Sequence, residues 1–467
     1  MRAVWLLGSP AAPPERRRPA EIMTSPVLLG GIDFFHLMND RAMRSRGQAG
    51  NHCLHVLELD GRLDMARLAV RLERATRALP ELRFRLDDSL LGRAGRPRWV
   101  VDHHRRAPAA RLHEVSGERE GAARVEALLA ERVGGERPWA IDVVRGAGDG
   151  DVLVFRHFHA LTDGRGADRL VAWLGSGSGD MPEDPPRSEE RYGAPERLLA
   201  AHDRDARIAL ARVYKAHALA LGSAPILSLA RACPGVRPAA SRVVRLTLSA
   251  EETRAFDQRV RRLARLSESS LMLIAATRLA DRALVARGFA PPHHVIPLPL
   301  SLDPKAGARR LFGNHLTMVL LSLRRDELYD DARAVARLAE QQRAAVRERL
   351  DLAMIAALDL ARWLPGPVVR WLGEQPFAGE LASLIVSNPG VVAADRFAGL
   401  PVRSAYPLPA VVAPPGFQVI YSRSGGRLSA SIVYGDGLLR PGEAAAMPGA
   451  LRAELLGEPA PPPGGGV

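Results

Sequence analysis

The sequence predicts an α/β (α+β) fold in two lobes, and three observations support this prediction. The chain of 467 residues is longer than one typical domain, and its hydrophobic content of 47% is ample for two cores. Segments with strand and helix periodicity alternate along both halves of the chain. Between the halves, the stretch from Gly175 to Pro186 is rich in glycine, serine and proline, which is typical of a flexible linker.

The first half is predicted to form an N-terminal lobe over residues 24–174, after a disordered extension at residues 1–23. Asp64 is a suitable N-cap for the first predicted helix, because its carboxylate can accept backbone N–H groups. Strands are predicted at residues 52–59, 99–102, 140–144 and 152–159. Helices are predicted at residues 64–79, 122–132 and 167–174.

The second half predicts a linker and a long helix at residues 175–240, followed by a C-terminal lobe at residues 241–456. Ser249 and Glu252 have the spacing of a capping box at the start of one helix. Strands are predicted at residues 242–248, 295–300, 316–323, 381–386, 417–421 and 428–434, and helices at residues 196–221 and 326–349. Residues 457–467, mostly proline and glycine, are predicted to form a disordered tail.

The strand at residues 152–159 carries the candidate chemistry at its end. A period of two places His157 and His159 on the same face of this strand. Gly164 and Gly166 are predicted to break the strand and to allow a tight turn. Imidazole titrates near neutral pH, so His159 is a candidate general base for an attacking hydroxyl or amine. Asp163 is expected to support the loop by holding backbone N–H groups or by pairing with an arginine.

The segment from Phe158 to Gly164 resembles the His-His-x-x-x-Asp-Gly signature of the superfamily of CoA-dependent acyltransferases and condensation domains. Its second histidine corresponds to His159, whereas Phe158 replaces the first. Other segments resemble motifs of the wax ester synthase and diacylglycerol acyltransferase-like branch, in the same order. They are Leu79-Pro-Glu-Leu-Arg83, Arg137-Pro-Trp139, Phe312-Gly-Asn314 and Ile385-Val-Ser-Asn-Pro-Gly390, and Trp139 is expected to lie in the core. The resemblance covers roughly residues 24–455.

The resemblance implies two chloramphenicol acetyltransferase-like lobes with an active-site tunnel between them and His159 midway along it. An acyl group would pass from a CoA thioester to a small-molecule alcohol or amine by direct attack. His159 would be the general base and Asp163 the loop support. Residues expected to contact substrate or to support the site are His157, Gly164, Ser387 and Asn388. For Asn388, a turn built around its own side chain is an equally good interpretation.

Two alternatives stay open at this stage. The first is a condensation-like enzyme that acts on substrates bound to the phosphopantetheine of an acyl or peptidyl carrier protein. The second is a catalytically silent interaction module of the same fold. It is suggested by Phe158 and by Leu266-Ser-Glu-Ser-Ser-Leu271, which stands where the branch carries an Asn-Asp pair. In the enzymatic interpretations no cofactor is permanently bound, and the CoA thioester is a co-substrate.

Composition narrows the expected partners and location. The net charge is +13, but the basic residues are almost all arginine and are scattered, and no nucleic-acid-binding motif occurs, so nucleic acid is not an expected partner. Some arginines could attract the phosphates of coenzyme A or an acidic carrier. Cys53 and Cys233 are far apart, so no metal site is expected, and a reducing cytoplasm is the expected location.

No stretch of the sequence is long and apolar enough to predict a transmembrane segment. The best candidate for peripheral contact with a membrane is Met354–Leu364 together with Val368–Leu372, since arginines and two tryptophans accompany its apolar residues. A helix hairpin buried over the second lobe is the alternative interpretation of the same residues.

Overall fold

The computed structural model describes residues 26–88, 96–177, 185, 195–264, 267–303 and 310–459. The predicted extension at residues 1–23, most of the predicted linker and residues 460–467 of the predicted tail lie outside the described residues. Fifteen strands, thirteen α-helices and four short 3₁₀ helices are present in the described ranges.

The strands are β1 (Val27–Leu28), β2 (His52–Leu59), β3 (Phe84–Asp87), β4 (Arg98–Val101), β5 (Arg111–Glu114), β6 (Trp139–Arg145), β7 (Val152–Phe158), β8 (Ser241–Thr247), β9 (His293–Ser301), β10 (Leu316–Arg324), β11 (Ile385–Ser387), β12 (Arg396–Phe397), β13 (Leu400–Pro409), β14 (Phe417–Ser424) and β15 (Arg427–Gly435). The helices of the first half are α1 (Gly31–Arg44), α2 (Met65–Ala78), α3 (Glu118–Ala127) and α4 (Gly164–Gly175). The remaining helices are α5 (Arg204–Leu221), α6 (Leu229–Ala232), α7 (Ala250–Leu263), α8 (Glu268–Val285), α9 (Arg325–Leu328), α10 (Asp331–Arg347), α11 (Leu350–Ala361), α12 (Gly366–Glu374) and α13 (Pro441–Leu456).

The first lobe is built on a six-stranded sheet in the order β12-β13-β2-β7-β6-β5. Strand β7 lies near its centre, antiparallel to both β2 and β6. Every residue of β7 is buried, because separate hydrophobic clusters cover the two faces of the sheet. Leu153 and Phe155 belong to one cluster, and Val152 and Val154 to the other. The end of β7 is therefore held rigidly inside the molecule.

Part of the second half completes this first sheet. Strand β13 pairs antiparallel with β2, with Tyr406 opposite Val56, and β12 adds a further short strand at the edge. Residues 396–409 fall within the predicted C-terminal lobe, and the sequence did not indicate that they would join the first sheet. The first sheet thus contains two strands from the segment predicted as the C-terminal lobe.

The second lobe contains a four-stranded sheet in the order β11-β14-β15-β8 and the two-stranded sheet of β9 and β10. Ser383 connects the two sheets, since its backbone N–H donates to the Val295 carbonyl and its hydroxyl oxygen accepts the Val295 N–H. Helix α8 is buried along almost its whole length and belongs to the main core of this lobe. Mixed sheets and helices in both lobes agree with the predicted α/β (α+β) class.

Side-chain caps fix several helix ends as the sequence predicted, and they also explain two errors. The Asp64 carboxylate accepts the N–H groups of Ala66 and Arg67, and Ser249 forms the predicted capping box with Glu252. The single helix predicted at residues 326–349 is wrong, because Asp330 caps a new helix, α10, after the short α9. The helix predicted from residue 196 begins instead after Asp203, and a short 3₁₀ helix precedes it.

Among the described residues, no helix is both long and apolar enough to cross a bilayer. The two parts of the candidate for membrane contact differ in exposure. Helix α11 is largely buried, as the hairpin interpretation predicts, with Met354 and Ile355 in the interior. Trp363 and Trp371, which lie after α11 and on α12, are 56% and 60% exposed.

Candidate functional site

A cavity of about 660 Å³ lies between the two lobes, and its walls differ in character. One end is polar and is lined by His36, His55, His157 and His159 from the first half, together with Asn388 from the second. The other end is apolar, with lining side chains from α5, β10, α11 and the segment after α12, among them Tyr214, Leu320, Leu358 and Phe377. The cavity can thus accept a molecule with a polar reacting group and an apolar chain.

His159 follows β7 directly, and its backbone is held from two directions. Its N–H donates to the carbonyl oxygen of Asn51 at 3.1 Å. Its own carbonyl oxygen accepts the side-chain amide of Asn314 at 2.8 Å. Asn51 precedes β2 in the first lobe, whereas Asn314 precedes β10 in the second. Both lobes therefore fix the position of this imidazole.

The environment of the His159 side chain favours the neutral imidazole. Burial lowers its pKa, and its own backbone carbonyl, the Asp163 carboxylate and Asn314 only partly oppose that effect. The ring stacks on His36, with ring centroids 3.6 Å apart and an interplanar angle of 10°. A neutral imidazole that lines a cavity can accept a proton from a bound substrate.

Asp163 is the N-cap of α4 and connects the two lobes. One carboxylate oxygen accepts the Gly166 N–H at 2.8 Å, and the other accepts the His315 N–H at 2.8 Å. The sequence allowed Asp163 either to hold backbone N–H groups or to pair with an arginine, and the structure shows the hydrogen bonds to backbone N–H groups. Because His315 belongs to the second half, this carboxylate holds the turn after His159 against the opposite lobe.

Alternation along β7 places His157 and His159 against the same cavity, in agreement with the sequence. Phe158 lies on the other side, fully buried in the core and packed edge-on to Trp99. Trp139 is also a core residue, and its indole N–H donates to the Leu82 carbonyl. The departure of Phe158 from the His-His signature therefore does not remove a side chain from the cavity.

His157 and His55 are two further neutral imidazoles at the polar end. Their rings lie 5.8 Å apart at an interplanar angle of 15°, and the Nε2 atom of His55 is 3.1 Å from the Gly164 carbonyl oxygen. Both ring nitrogens of His157 are buried and have no hydrogen-bond partner among the described residues. Burial lowers the pKa of His157 well below its usual range and that of His55 to about 4.

Ser387 and Asn388 line the cavity at the end of β11. The Asn388 amide group donates to Glu268 at 3.0 Å, while its oxygen accepts the Gly390 N–H at 3.1 Å. This is the side-chain turn that the sequence left open as the alternative interpretation. Gly390 has a φ of 97°, a conformation that glycine adopts without strain. The structure thus shows Asn388 as a turn residue at the cavity wall.

No group of three or more His, Cys, Asp or Glu side chains suited to holding a metal occurs within the described ranges. The sequence profile of the wax ester synthase/diacylglycerol acyltransferase catalytic domain matches residues 47–318, which is more than half of the chain. The chain belongs to this family. The matched region contains β2, β7, His159, Asp163 and Asn314. Membership confirms the predicted resemblance and identifies the protein as an acyltransferase.

Solved structures share the fold of this wax ester synthase/diacylglycerol acyltransferase family member. The first condensation domain of the calcium-dependent antibiotic synthetase matches with a TM-score of 0.68 at 15% identity, over 94% of this chain and 98% of that one. The wax ester synthase/diacylglycerol acyltransferase from Marinobacter aquaeolei VT8 matches with a TM-score of 0.58 at 16% identity, over 92% and 98%. Polyketide synthase associated protein 5 from Mycobacterium tuberculosis matches with a TM-score of 0.58 at 15% identity, over 87% and 94%. No curated protein matches the sequence significantly.

Sequence reasoning missed helix α1 and the polar residues on it. Asp33, His36 and Asp40 lie three and four residues apart and therefore share one face of α1. Asp33 and Asp40 are buried, and His36 lines the cavity. The signal in the sequence was the helical spacing of polar residues among Ile32, Phe34 and Leu37, but their partners at Asn51 and Asn314 are distant along the chain.

Contrary to the sequence prediction, the two glycines after Asp163 do not break the strand but lie in the first turn of a helix. Strand β7 ends at Phe158, and Gly164 and Gly166 are the first and third residues of α4, without a positive φ. Gly166 is needed for close approach, because a Cβ atom there would lie 2.2 Å from the Thr162 hydroxyl oxygen. A Cβ atom on Gly164 would meet only Pro389, at 3.9 Å.

We therefore expect Gly166→Ala to destabilise the protein by about 1–3 kcal/mol, the usual cost of an overpacked interior. The Thr162 hydroxyl donates to the Leu311 carbonyl at 2.8 Å, so it cannot move away without loss of that hydrogen bond. Thermal unfolding of both alanine variants checks this, with Gly164→Ala as the matched control that keeps the wild-type Tm. Equal Tm values for the two variants would show that the close approach is not limiting.

Proposed function

We propose that this acyltransferase transfers an acyl group from a CoA thioester to a hydroxyl or amine acceptor, with His159 as the general base. The observation that carries the proposal is the position of His159, a neutral imidazole fixed by both lobes at the wall of the cavity between them. Because burial favours the neutral form of this imidazole, it can accept a proton near neutral pH.

The reaction follows from direct attack in a ternary complex. The acceptor oxygen or nitrogen forms a bond to the thioester carbonyl carbon, and His159 takes the proton that the acceptor loses. The carbonyl oxygen then carries a negative charge. When the carbon–sulfur bond breaks, the carbonyl re-forms, and the thiolate of coenzyme A takes the proton from His159. The ester or amide and free coenzyme A leave, and His159 is neutral again.

The other predicted site residues have supporting roles in this proposal. Asp163 keeps the turn after β7 in register with the second lobe through its two backbone hydrogen bonds. His157 and Gly164 line the polar end, where the thioester and its pantetheine arm would bind, and Ser387 and Asn388 also line the cavity. The apolar end would hold an aliphatic chain, since burial of each methylene group contributes about 0.8 kcal/mol.

The experiment is mass spectrometry of purified protein with a panel of donors and acceptors. Acetyl-, octanoyl- and palmitoyl-CoA are each mixed with short and long alcohols and amines, and free coenzyme A and acylated product are quantified together. The proposal expects equal amounts of coenzyme A and product for at least one pair. Hydrolysis without acylated product, or no reaction with any pair, would contradict it.

A second candidate is a condensation-like enzyme whose donor is attached to a carrier protein. The likeness to a condensation domain of an antibiotic synthetase, over nearly the full length of both chains, motivates it. Acyl-pantetheine and an acylated carrier protein are therefore added to the donor panel. Product from these donors with none from acyl-CoA would select the second candidate.

Contact with a membrane surface is compatible with either candidate. Trp363 and Trp371 are exposed next to Leu364 and Leu372, which line the apolar end of the cavity. Exposed tryptophans are well suited to the interface between water and lipid. An apolar acceptor could then reach the cavity without crossing water.

The pH dependence of kcat/KM should show the lowered pKa of His159. Its charged and titratable neighbours are His36 on α1, His157 on β7 and Asp163 before α4, and burial lowers the pKa of both neighbouring histidines well below the usual range. The base is inactive only when it is protonated. The apparent pKa of the acid limb of the kcat/KM profile should therefore lie below the usual histidine pKa of about 6.5. A limb at or above that value would contradict the expectation, and circular dichroism over the same range separates titration from unfolding.

A further inference from the structure

His36 forms a stacked pair with His159 and is held by a residue that also holds His159. The side-chain nitrogen of Asn51 lies 3.1 Å from Nδ1 of His36 and 3.1 Å from the His36 carbonyl oxygen. The Asn51 carbonyl oxygen accepts the His159 N–H. One asparagine thus contacts the His36 ring and holds the His159 backbone.

These contacts determine which nitrogen of His36 carries the proton. A carbonyl oxygen can only accept, so the atom of Asn51 that faces the His36 carbonyl must be the amide nitrogen. The same nitrogen faces Nδ1, and an amide nitrogen only donates, so Nδ1 must be the acceptor. The neutral ring therefore carries its proton on Nε2. His36 lines the polar end of the cavity beside His159.

Helix α1 is fixed strongly enough to place this donor. Asp33 accepts the N–H and the side-chain amide of Asn314, and Asp40 accepts the Asn51 N–H at 3.0 Å. A Cβ atom on Gly31 would lie 2.6 Å from the backbone of Leu358, so α1 is in close contact with α11. His36 lies between these anchors, on the face of α1 that meets the site.

We propose that His36 is a second catalytic histidine, whose Nε2–H donates a hydrogen bond to the thioester carbonyl oxygen as that oxygen becomes negative. This inference rests on the proposed function, in which His159 takes the acceptor proton. When the new bond to the carbonyl carbon forms, the C=O electron pair moves to oxygen, and His36 stabilises it without giving up its own proton. When the carbon–sulfur bond breaks, the charge leaves with the thiolate, which is protonated by His159.

The electrostatics of the pair agree with this division of roles. Burial, followed by the charge that His159 carries when protonated, lowers the pKa of His36 well below the usual range. His36 therefore stays neutral while His159 gains and loses a proton, and at most one of the two stacked rings is charged at any time. A neutral donor in a site shielded from water is effective for a developing oxyanion, because it needs no reorganisation during the reaction.

The test compares His36→Phe, which keeps an aromatic ring against His159 but removes the donor, with His36→Gln, which keeps an N–H donor without the ring. The exposed His104 supplies the control His104→Phe. Steady-state rates are measured with the acyl-CoA panel and with acyl-pantetheine. The phenylalanine variant should lose about one hundredfold in kcat, as for removal of an oxyanion donor, with little change in KM. The glutamine variant should recover part of kcat although it lacks the stack, a pattern that a purely structural role does not produce.

The outcomes separate this inference from the proposed function. If His159→Ala abolishes transfer while His36→Phe keeps wild-type kcat at an unchanged Tm, His36 is not the donor but the proposed base remains. If His159→Ala has no effect, the proposed function fails first. NMR of isotope-labelled histidine in the substrate-free protein reports the His36 tautomer directly. A proton on Nδ1 would overturn the inference even if no donor in the panel is turned over.

Discussion

Replacement of His159 by alanine is expected to lower kcat by a factor of at least about one hundred, the usual contribution of a general base. Burial keeps this imidazole neutral, and Asn51 and Asn314 fix its backbone, so both the basicity and the position of the group are lost with the ring. A water molecule in the space left by the ring is a weaker base and is not held in a fixed position. The measurement is release of free coenzyme A with the best donor and acceptor of the panel.

Controls for this variant separate chemistry from folding. His159 is partly buried at a cavity wall rather than in a hydrophobic cluster, so the Tm of His159→Ala should stay within a few degrees of wild type. His104→Ala, on the surface, should keep the wild-type rate. Transfer by His159→Ala at the wild-type rate, with intact folding, would show that another group takes the proton.

Features that depend on neighbours in sequence could be predicted. Strand β2 was predicted with its observed bounds, and β7 to within one residue, because each carries its own apolar pattern between turn residues. The caps at Asp64 and Ser249 join residues that are only two or three positions apart in the sequence. His159 and Asp163 could be proposed as site residues for the same reason: the strand, the histidine, the carboxylate and the glycine all lie within a short segment.

Features that depend on distant partners could not be predicted. Strand β13 pairs with β2, although several hundred residues separate them, and nothing in its own composition distinguishes β2 from another partner strand. The break before α10 depends on the competition between a continuous helix and the cap at Asp330, which a helical period does not decide.

The polar residues of α1 are the clearest case in the site. A buried aspartate and a histidine on the inner face of a helix are unfavourable by themselves, so the sequence offers no reason to expect them there. They are stable because Asn51 and Asn314 satisfy them, and those residues belong to other parts of the chain. Polar residues with helical spacing inside an apolar pattern are thus a signal of a site whose other half lies elsewhere.

Removal of the Asp33 carboxylate is the second change with a large expected effect. Asp33 is 2% exposed and accepts hydrogen bonds from at least three N–H groups, namely those of Gly30, the Asn314 backbone and the Asn314 side chain. Asp33→Ala leaves all three donors without this partner. An unsatisfied buried donor costs about 1–3 kcal/mol, so we expect at least about 3 kcal/mol of lost stability in urea unfolding.

The same variant should also slow the reaction, because Asn314 uses its side-chain amide to hold both Asp33 and the His159 carbonyl. Without Asp33, the turn before β10 is free to shift, and displacement of a base by about 1 Å can reduce the rate about one hundredfold. Asp33→Asn keeps an oxygen for Asn314 but presents its amide group to the Gly30 N–H, so both effects should be smaller. The surface variant Asp60→Ala is the control for loss of a carboxylate. If Asp33→Ala is destabilised but keeps the wild-type kcat in its folded fraction, then α1 stabilises the lobes without positioning His159.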